Sequence, residues 1–191
     1  MKTGLFFGSF NPVHIGHLAI ANYVVAYTGL KEVWFVVSPQ NPLKKKGSLI
    51  EDVYRLEMVD IAIRGDDRFH SCAIQFHMPR PSYTIDTLVY LRNRYPRRDF
   101  ALVMGADNLL SFDKWKNYEE IIKTTVRYIY NRPGVDRATA PFQENTVWLE
   151  APLMEISSTF IRSAIKKGKD IRHFLPPGVY EYIDRMNLYR K

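Results

Sequence analysis

The sequence lacks several features that commonly announce a function. Its 191 residues include one cysteine, Cys72, which excludes an internal disulfide and any CxxC-type zinc or redox site. Long apolar runs are missing too. The N-terminus offers only Leu5, Phe6 and Phe7 before Gly8, too few for a signal-peptide core or a membrane span. Neither GxGxxG nor GxxxxGK(S/T) occurs, so a standard dinucleotide fingerprint and a P-loop are both excluded. HExxH is absent, and there is no internal repeat or low-complexity segment. These absences predict a soluble, cytoplasmic protein with no membrane partner. Cys72, in the run Cys-Ala-Ile, is expected to be a small buried hydrophobe without a catalytic role.

What is present suits a globular chain. Hydrophobic residues make up 46% and aromatic residues 14% of the sequence, enough for one sizeable core, and the length favours a single domain over 1–191. The net charge is +7, and residues 161–191 carry eight basic against three acidic side chains. A surface of that sign attracts polyanions, with nucleic acid and nucleoside triphosphates both qualifying, although a solvated basic helix face would also account for it.

Short runs rich in branched and aromatic residues recur at 5–7, 33–37, 100–104, 126–130 and 147–149, and read as buried strands. Between them lie helical spacings: Ile15, Leu18, Ala19, Asn22, Val25 and Ala26; Val53, Leu56, Val59, Ile61 and Ala62; Ile85, Leu88, Val89 and Leu91. This alternation predicts an α/β fold, a Rossmann-like parallel sheet flanked by helices on both faces. Ligands of such sheets bind outside the carboxyl ends of the strands. Segments 39–48 and 133–144 read as surface loops. A C-terminal helical part is expected from about 157. Pro176-Pro177-Gly178 precedes a last helix over 179–188 whose Tyr180, Ile183 and Leu188 should pack on the body.

The first strand runs directly into Gly8-Ser9-Phe10-Asn11-Pro12-Val13-His14-Ile15-Gly16-His17. A glycine at a strand end lets a ligand approach the backbone, and amides at the following turn and helix N-terminus are anion donors. His14 and His17 are three apart, so on one helical turn their imidazoles would share a face and converge on one anion. A local cap beside a half-buried ring is the plainer alternative. Metal binding is another, but no third histidine or carboxylate stands at ligand spacing. Downstream, Ser157, Ser158 and Thr159 are favoured N-cap types ahead of a basic helix containing Arg162 and Lys166, a second candidate anion site that could equally be an ordinary cap.

These two segments resemble the GxFxPxHxGH and ISSTxIR signatures of the HxGH nucleotidylyltransferase superfamily, the second carried by Ile156-Ser157-Ser158-Thr159-Phe160-Ile161-Arg162. Within it, four further stretches resemble the nicotinate mononucleotide adenylyltransferases. They are Pro39-Gln40-Asn41-Pro42-Leu43-Lys44, Ser82-Tyr83-Thr84-Ile85-Asp86-Thr87-Leu88, Gly105-Ala106-Asp107-Asn108-Leu109 followed by Phe112 and Trp115, and Asn131-Arg132-Pro133-Gly134. The resemblance implies adenylyl transfer from ATP to nicotinate mononucleotide, with nicotinamide mononucleotide or a phosphorylated acceptor such as phosphopantetheine as the alternative. It implies catalytic roles for His14, His17, Lys44 and Arg162. ATP would contact Gly8, Ser9, Phe10, Gly16, Gly105, Asp107, Ile156, Ser157, Ser158 and Thr159. The acceptor would contact Thr84, Phe112, Trp115 and Arg132. Mg2+ would be held mainly by ATP phosphates and water, with no protein metal ligands.

The expected partners are therefore ATP and the acceptor nucleotide, without nucleic acid, and a homo-oligomer is compatible with the sequence. A binding module that kept the fold and lost the chemistry is the reading of a different class. Two positions depart from the family pattern: Asn11 stands where aspartate is common, and Leu43 where histidine is common. The Lys44-Lys45-Lys46 run leaves open which lysine reaches phosphate.

Overall fold

Six parallel strands form one sheet in the order β3-β2-β1-β4-β5-β6: β1 (Lys2–Gly8), β2 (Glu32–Val37), β3 (Phe69–Cys72), β4 (Asp99–Gly105), β5 (Arg127–Tyr130) and β6 (Thr146–Leu149). The structure is a computed structural model and describes residues 1–39 and 49–190. The chain winds outward from β1 to β3 in one direction and from β4 to β6 in the other, so the topological switch lies between β1 and β4. A crevice opens at that point, where helices leave the sheet on opposite sides. Gly8 and Gly105, which end β1 and β4, flank it.

The strands alternate strictly between two cores, which is why they read as continuous apolar runs. Phe6, Val33, Phe35, Val37, Ala101, Val103 and Tyr128 face one side. There they meet α1 (Ile15–Tyr27), α2 (Asp52–Ile63), α5 (Ser158–Lys166) and α6 (Val179–Arg185). Leu5, Val36, Leu102, Met104 and Ile129 face the other side, against α3 (Thr84–Arg94), α4 (Tyr118–Thr124) and the 3-10 segment Ala106–Lys114. Cys72 is buried, with its thiol pushed up by burial, in the manner of a small core hydrophobe.

Five strands fall where the sequence places them, but β3 does not appear among the expected elements. Its Phe-His-Ser-Cys has no apolar run because, as an edge strand, it buries only Phe69 and Cys72. Helix α2 is rotated from its expected face. Val53 is 60% exposed, whereas Arg55, Met58, Val59 and Ile63 turn inward. On α3, Val89 is likewise exposed while Ile85, Leu88 and Leu91 are buried.

The final helix is shorter than 179–188. Asn187 takes a left-handed φ of 52°, Asn187 N–H bonds to Asp184 C=O (3.1 Å), and Leu188 N–H bonds back to Ile183 C=O (3.0 Å). That pair of bonds is a Schellman stop, with asparagine accepting the conformation glycine usually takes. Val179, Tyr182, Ile183 and Leu188 carry the packing, while Tyr180 is only partly buried.

Candidate active site

The turn after β1 is built around Phe10. Its φ is +44° and its ring is almost wholly buried, edge-on to Phe6 at 5.8 Å and to His17 at 5.1 Å. A Cβ on Gly8 would lie 2.8 Å from that ring. The glycine thus makes room for Phe10 to fold back over the strand end, a local packing reason that the sequence does not display.

His14 is the N-cap of α1 and His17 its third residue. Their rings lie 3.7 Å apart, tilted by 32°. His14 N–H donates to His17 Nδ1 at 3.1 Å, and a neutral imidazole that accepts at Nδ1 carries its proton on Nε2. The ring of His14 occupies the space beside Gly16, where a Cβ would stand 3.1 Å from its Nδ1. His14 is 5% exposed, and Nδ1 has no hydrogen-bond partner among the described residues. Burial, reinforced by the nearby Arg132 charge, lowers its pKa to about 4. In the unliganded protein His14 is therefore neutral at pH 7. A buried orphan nitrogen at a cleft wall is the kind of group a ligand or water would satisfy.

The two signature segments, so far apart in sequence, join here. Ser157 caps α5 by accepting from Phe160 N–H at 3.2 Å. Ser158 Oγ donates to Pro12 C=O at 2.8 Å, and Arg162 Nη1 donates to Asn11 C=O at 2.8 Å. The N-terminus of α5 is thereby pinned against the N-terminus of α1, and both present amides and cations to one cleft.

Arg55, which nothing in the sequence singles out, sits beneath this arrangement. Its fully buried guanidinium donates to Ser9 C=O (2.6 Å), Ser38 C=O (2.8 Å) and Pro39 C=O (3.4 Å), tying the carboxyl ends of β1 and β2 together. Asp52 closes the arrangement, pairing with Arg55 and, through Oδ2, with Arg80 at 3.1 Å. Desolvation lowers the pKa of Arg55 even beside that carboxylate.

Across the switch point, Asp107 and Arg132 crowd over Gly105, where a Cβ would clash with Asp107 Oδ1. Arg132 Nε approaches Asp107 at 3.5 Å. Arg132 thus stands with Asp107 and His14, on the same wall as the end of β4. Thr84, the first residue of α3, and Trp115, just after the 3-10 segment, line the far part of the cleft. Beside them Lys116 ties the start of α3 to the chain after the 3-10 segment, bonding Asp86 at 2.9 Å and lying 5.0 Å above the Tyr83 ring. Gln75, buried at the cleft wall, donates to Thr87 Oγ1 at 2.9 Å.

Phe112 does not reach the cleft. It is fully buried behind Trp115, with ring centroids 4.9 Å apart, and backs the indole instead.

The cleft as a whole has a volume of about 1350 Å³, larger than the ~300–1,000 Å³ of a usual small-molecule pocket. It is lined by Arg80, Lys114, Lys116, Arg132 and Arg162 against Glu51, Asp52 and Asp107. Gly8, Ser9, Phe10, Gly16 and Ile156 through Thr159 all lie on its wall. Lys44 lies outside the described residues. Among the described residues no helix is long and apolar enough to cross a membrane.

A family model described as cytidylyltransferase-like matches residues 5–164. A protein of Bacteroides thetaiotaomicron is 51% identical over 183 residues, covering 96% of this chain and 91% of its own length. One of Flavobacterium psychrophilum is 46% identical over 193 residues, covering both chains fully. Both carry the name "Probable nicotinate-nucleotide adenylyltransferase". The structure of Plasmodium falciparum nicotinic acid mononucleotide adenylyltransferase complexed with NaAD superposes with a TM-score of 0.80 at 19% identity, over 98% of this chain and 97% of that one, and so shares the fold. The chain belongs to the cytidylyltransferase-like family, in the branch that contains these nicotinate-nucleotide adenylyltransferases.

Proposed function

We propose that the protein transfers the adenylyl group of ATP to nicotinate mononucleotide, releasing pyrophosphate and forming nicotinate adenine dinucleotide, a step of NAD biosynthesis. The observation that carries this reading is the docking of α5 on the turn that leads into α1, which brings His17, Arg162 and two helix N-termini to one cleft large enough for two nucleotides. The names of the full-length relatives support the acceptor. The excess of basic over acidic side chains on the cleft wall favours a pyridinium ring bearing a carboxylate over one bearing a neutral carboxamide.

In this reaction an oxygen of the acceptor's own phosphate attacks the α-phosphorus of ATP. The bond from that phosphorus to the bridging oxygen breaks, and pyrophosphate leaves with the electron pair. An ionised phosphate needs no strong base, so the protein's work is positioning and charge stabilisation. His17 Nε2–H, Arg162 and the amides of Ser9 and Phe10 would hold the phosphates, and Lys44 would join them by its place in the sequence. His14, neutral before binding, would donate a hydrogen bond and gain a proton more readily once triphosphate arrives.

Asp107 would accept from the adenosine ribose, and Trp115 and Thr84 would hold the pyridine ring. Mg2+ would be carried mainly by phosphate oxygens and water. Bound there, it would neutralise triphosphate charge. The cytoplasm, with its ATP and reducing conditions, is the proposed compartment.

The test is pyrophosphate release from MgATP with nicotinate or nicotinamide mononucleotide at matched concentrations. Preference for the acid is expected, preference for the amide would change the acceptor, and no release with either would sink the reading.

A further inference from the structure

The C-terminal end of the chain comes back to the phosphate-binding turn. After the Schellman stop at Asn187, Tyr189 takes a left-handed φ of 64°, and its hydroxyl donates to Asn11 Oδ1 at 2.9 Å, across 178 residues. Asn11 is the residue whose carbonyl accepts from Arg162 Nη1, and it is almost wholly buried, so its side chain has little freedom beside that contact. Tyr189 itself does not line the cleft. It stands behind the turn, close enough to the guanidinium groups of Arg162 and Arg55 for both to act on it electrostatically.

The mount is rigid: Val179, Ile183 and Leu188 are buried in the same core as α2, which also carries Arg55. Burial pushes the phenol well above its ordinary pKa, so it remains a hydrogen-bond donor throughout the physiological range. Asn11 offers an amide oxygen to that donor, while Arg162 takes the backbone carbonyl of the same residue.

We propose that Tyr189 is a positioning residue of the active site. Through Asn11 it holds the Phe10–Asn11–Pro12 turn and the Arg162 head in register for ATP. This rests on the adenylyl-transfer reading above. It gives the last residues of the chain a task in the chemistry, beyond covering the core.

Tyr189→Phe keeps the ring and removes one hydrogen bond, worth up to about tenfold in a rate or binding constant. The expected result is a fall of that order in kcat/KM for ATP, a KM for the acceptor within about twofold of wild type, and a Tm lowered by only the few degrees that one lost hydrogen bond costs. Ile183→Val, a methyl deletion in the preceding helix, should lower Tm by a similar amount while leaving kcat intact. Asn11→Ser withdraws the acceptor from the other side. It should reproduce the selective loss, and the double variant should lose no more than the worse single one.

Affinity for a methylene-bridged ATP analogue, measured by calorimetry, follows the same pattern without turnover, so a wrong acceptor cannot mask the result. The proposal is overturned by a Tyr189→Phe protein with wild-type ATP parameters. It is equally overturned by Tyr189→Phe and Asn11→Ser losses that multiply, or by an Ile183→Val protein that loses kcat to the same extent. Should Tyr189→Phe fail to accumulate, Asn11→Ser with wild-type ATP affinity decides against it alone.

Discussion

Ser158 donates its hydroxyl proton to the carbonyl of Pro12 at 2.8 Å, linking two segments 146 residues apart in the chain. Together with the Arg162 to Asn11 bond, it sets the distance between the two helix N-termini that face the cleft. Each segment alone reads as an ordinary helix start. Only their contact brings both helix N-termini to one cleft.

Removing that hydroxyl tests whether the contact matters for chemistry. Ser158→Ala leaves the α5 cap intact, because Ser157 makes the capping bond. The bond is part-buried and neutral, so its loss should cost about 0.5–1.5 kcal/mol of stability. Turnover should fall by about tenfold, as a slight displacement of Arg162 is amplified at the reacting phosphorus. Urea denaturation and steady-state kinetics on one preparation measure both. Unchanged turnover with the stability loss would make the bond purely architectural.

In the proposed mechanism His17 acts as a hydrogen-bond donor to phosphate. Its Nδ1 is occupied by His14 N–H, leaving Nε2–H as the donor. A positioned donor to developing charge is worth about 10²–10³ in kcat, and His17→Ala should lose that much while stability stays within about 1 kcal/mol. A fully active His17→Ala protein would remove the imidazole from the mechanism.

The parts of this arrangement legible in the sequence are those with a local signature. β1, β2 and β4 are central strands covered on both faces, so burial fills them with branched and aromatic residues. The two signature segments combine glycine, histidine and hydroxyl residues in fixed spacings. Arg55 was illegible for the opposite reason. One arginine on an amphipathic helix reads as a solvent-facing residue, and only the tertiary fold reveals that α2 turns it under the ends of β1 and β2. Phe112 and Trp115 show the same limit within one segment: spacing brings both to the site but does not say that one backs the other. The expected acceptor set of Thr84, Phe112, Trp115 and Arg132 is accordingly spread over two walls and one buried layer.

His14 predicts an acid-sensitive fold. The unfolded chain binds a proton near the ordinary histidine value of about 6.5, whereas the folded protein resists protonation until about pH 4. The unfolded state therefore carries the extra proton between those values, and acidification favours it. The contribution of this one group to stability is flat above pH 7 and falls by up to about 1.4 kcal/mol per pH unit as pH drops through that window. Thermal melts of wild type and His14→Asn between pH 7.5 and 4.5 should converge toward the acid end. Parallel curves would show that another group governs the acid limb.

The rings of Trp115, on the cleft wall, and Phe112, buried behind it, lie 4.9 Å apart. The indole lines the cleft, and stacking of a base-like ring on an aromatic side chain is worth about 1–3 kcal/mol. Trp115→Ala should therefore raise the acceptor KM by about tenfold or more while the KM for ATP stays put. Phe112 is wholly buried, with the Arg127 guanidinium 4.9 Å from its ring centre and Trp115 and Phe142 packed around it. Phe112→Ala would leave a cavity costing about 3–5 kcal/mol, enough to consume much of a domain's stability. Its signature is a lowered Tm with acceptor KM near wild type in whatever fraction folds, whereas a high Tm with a raised acceptor KM would place Phe112 on the binding surface after all.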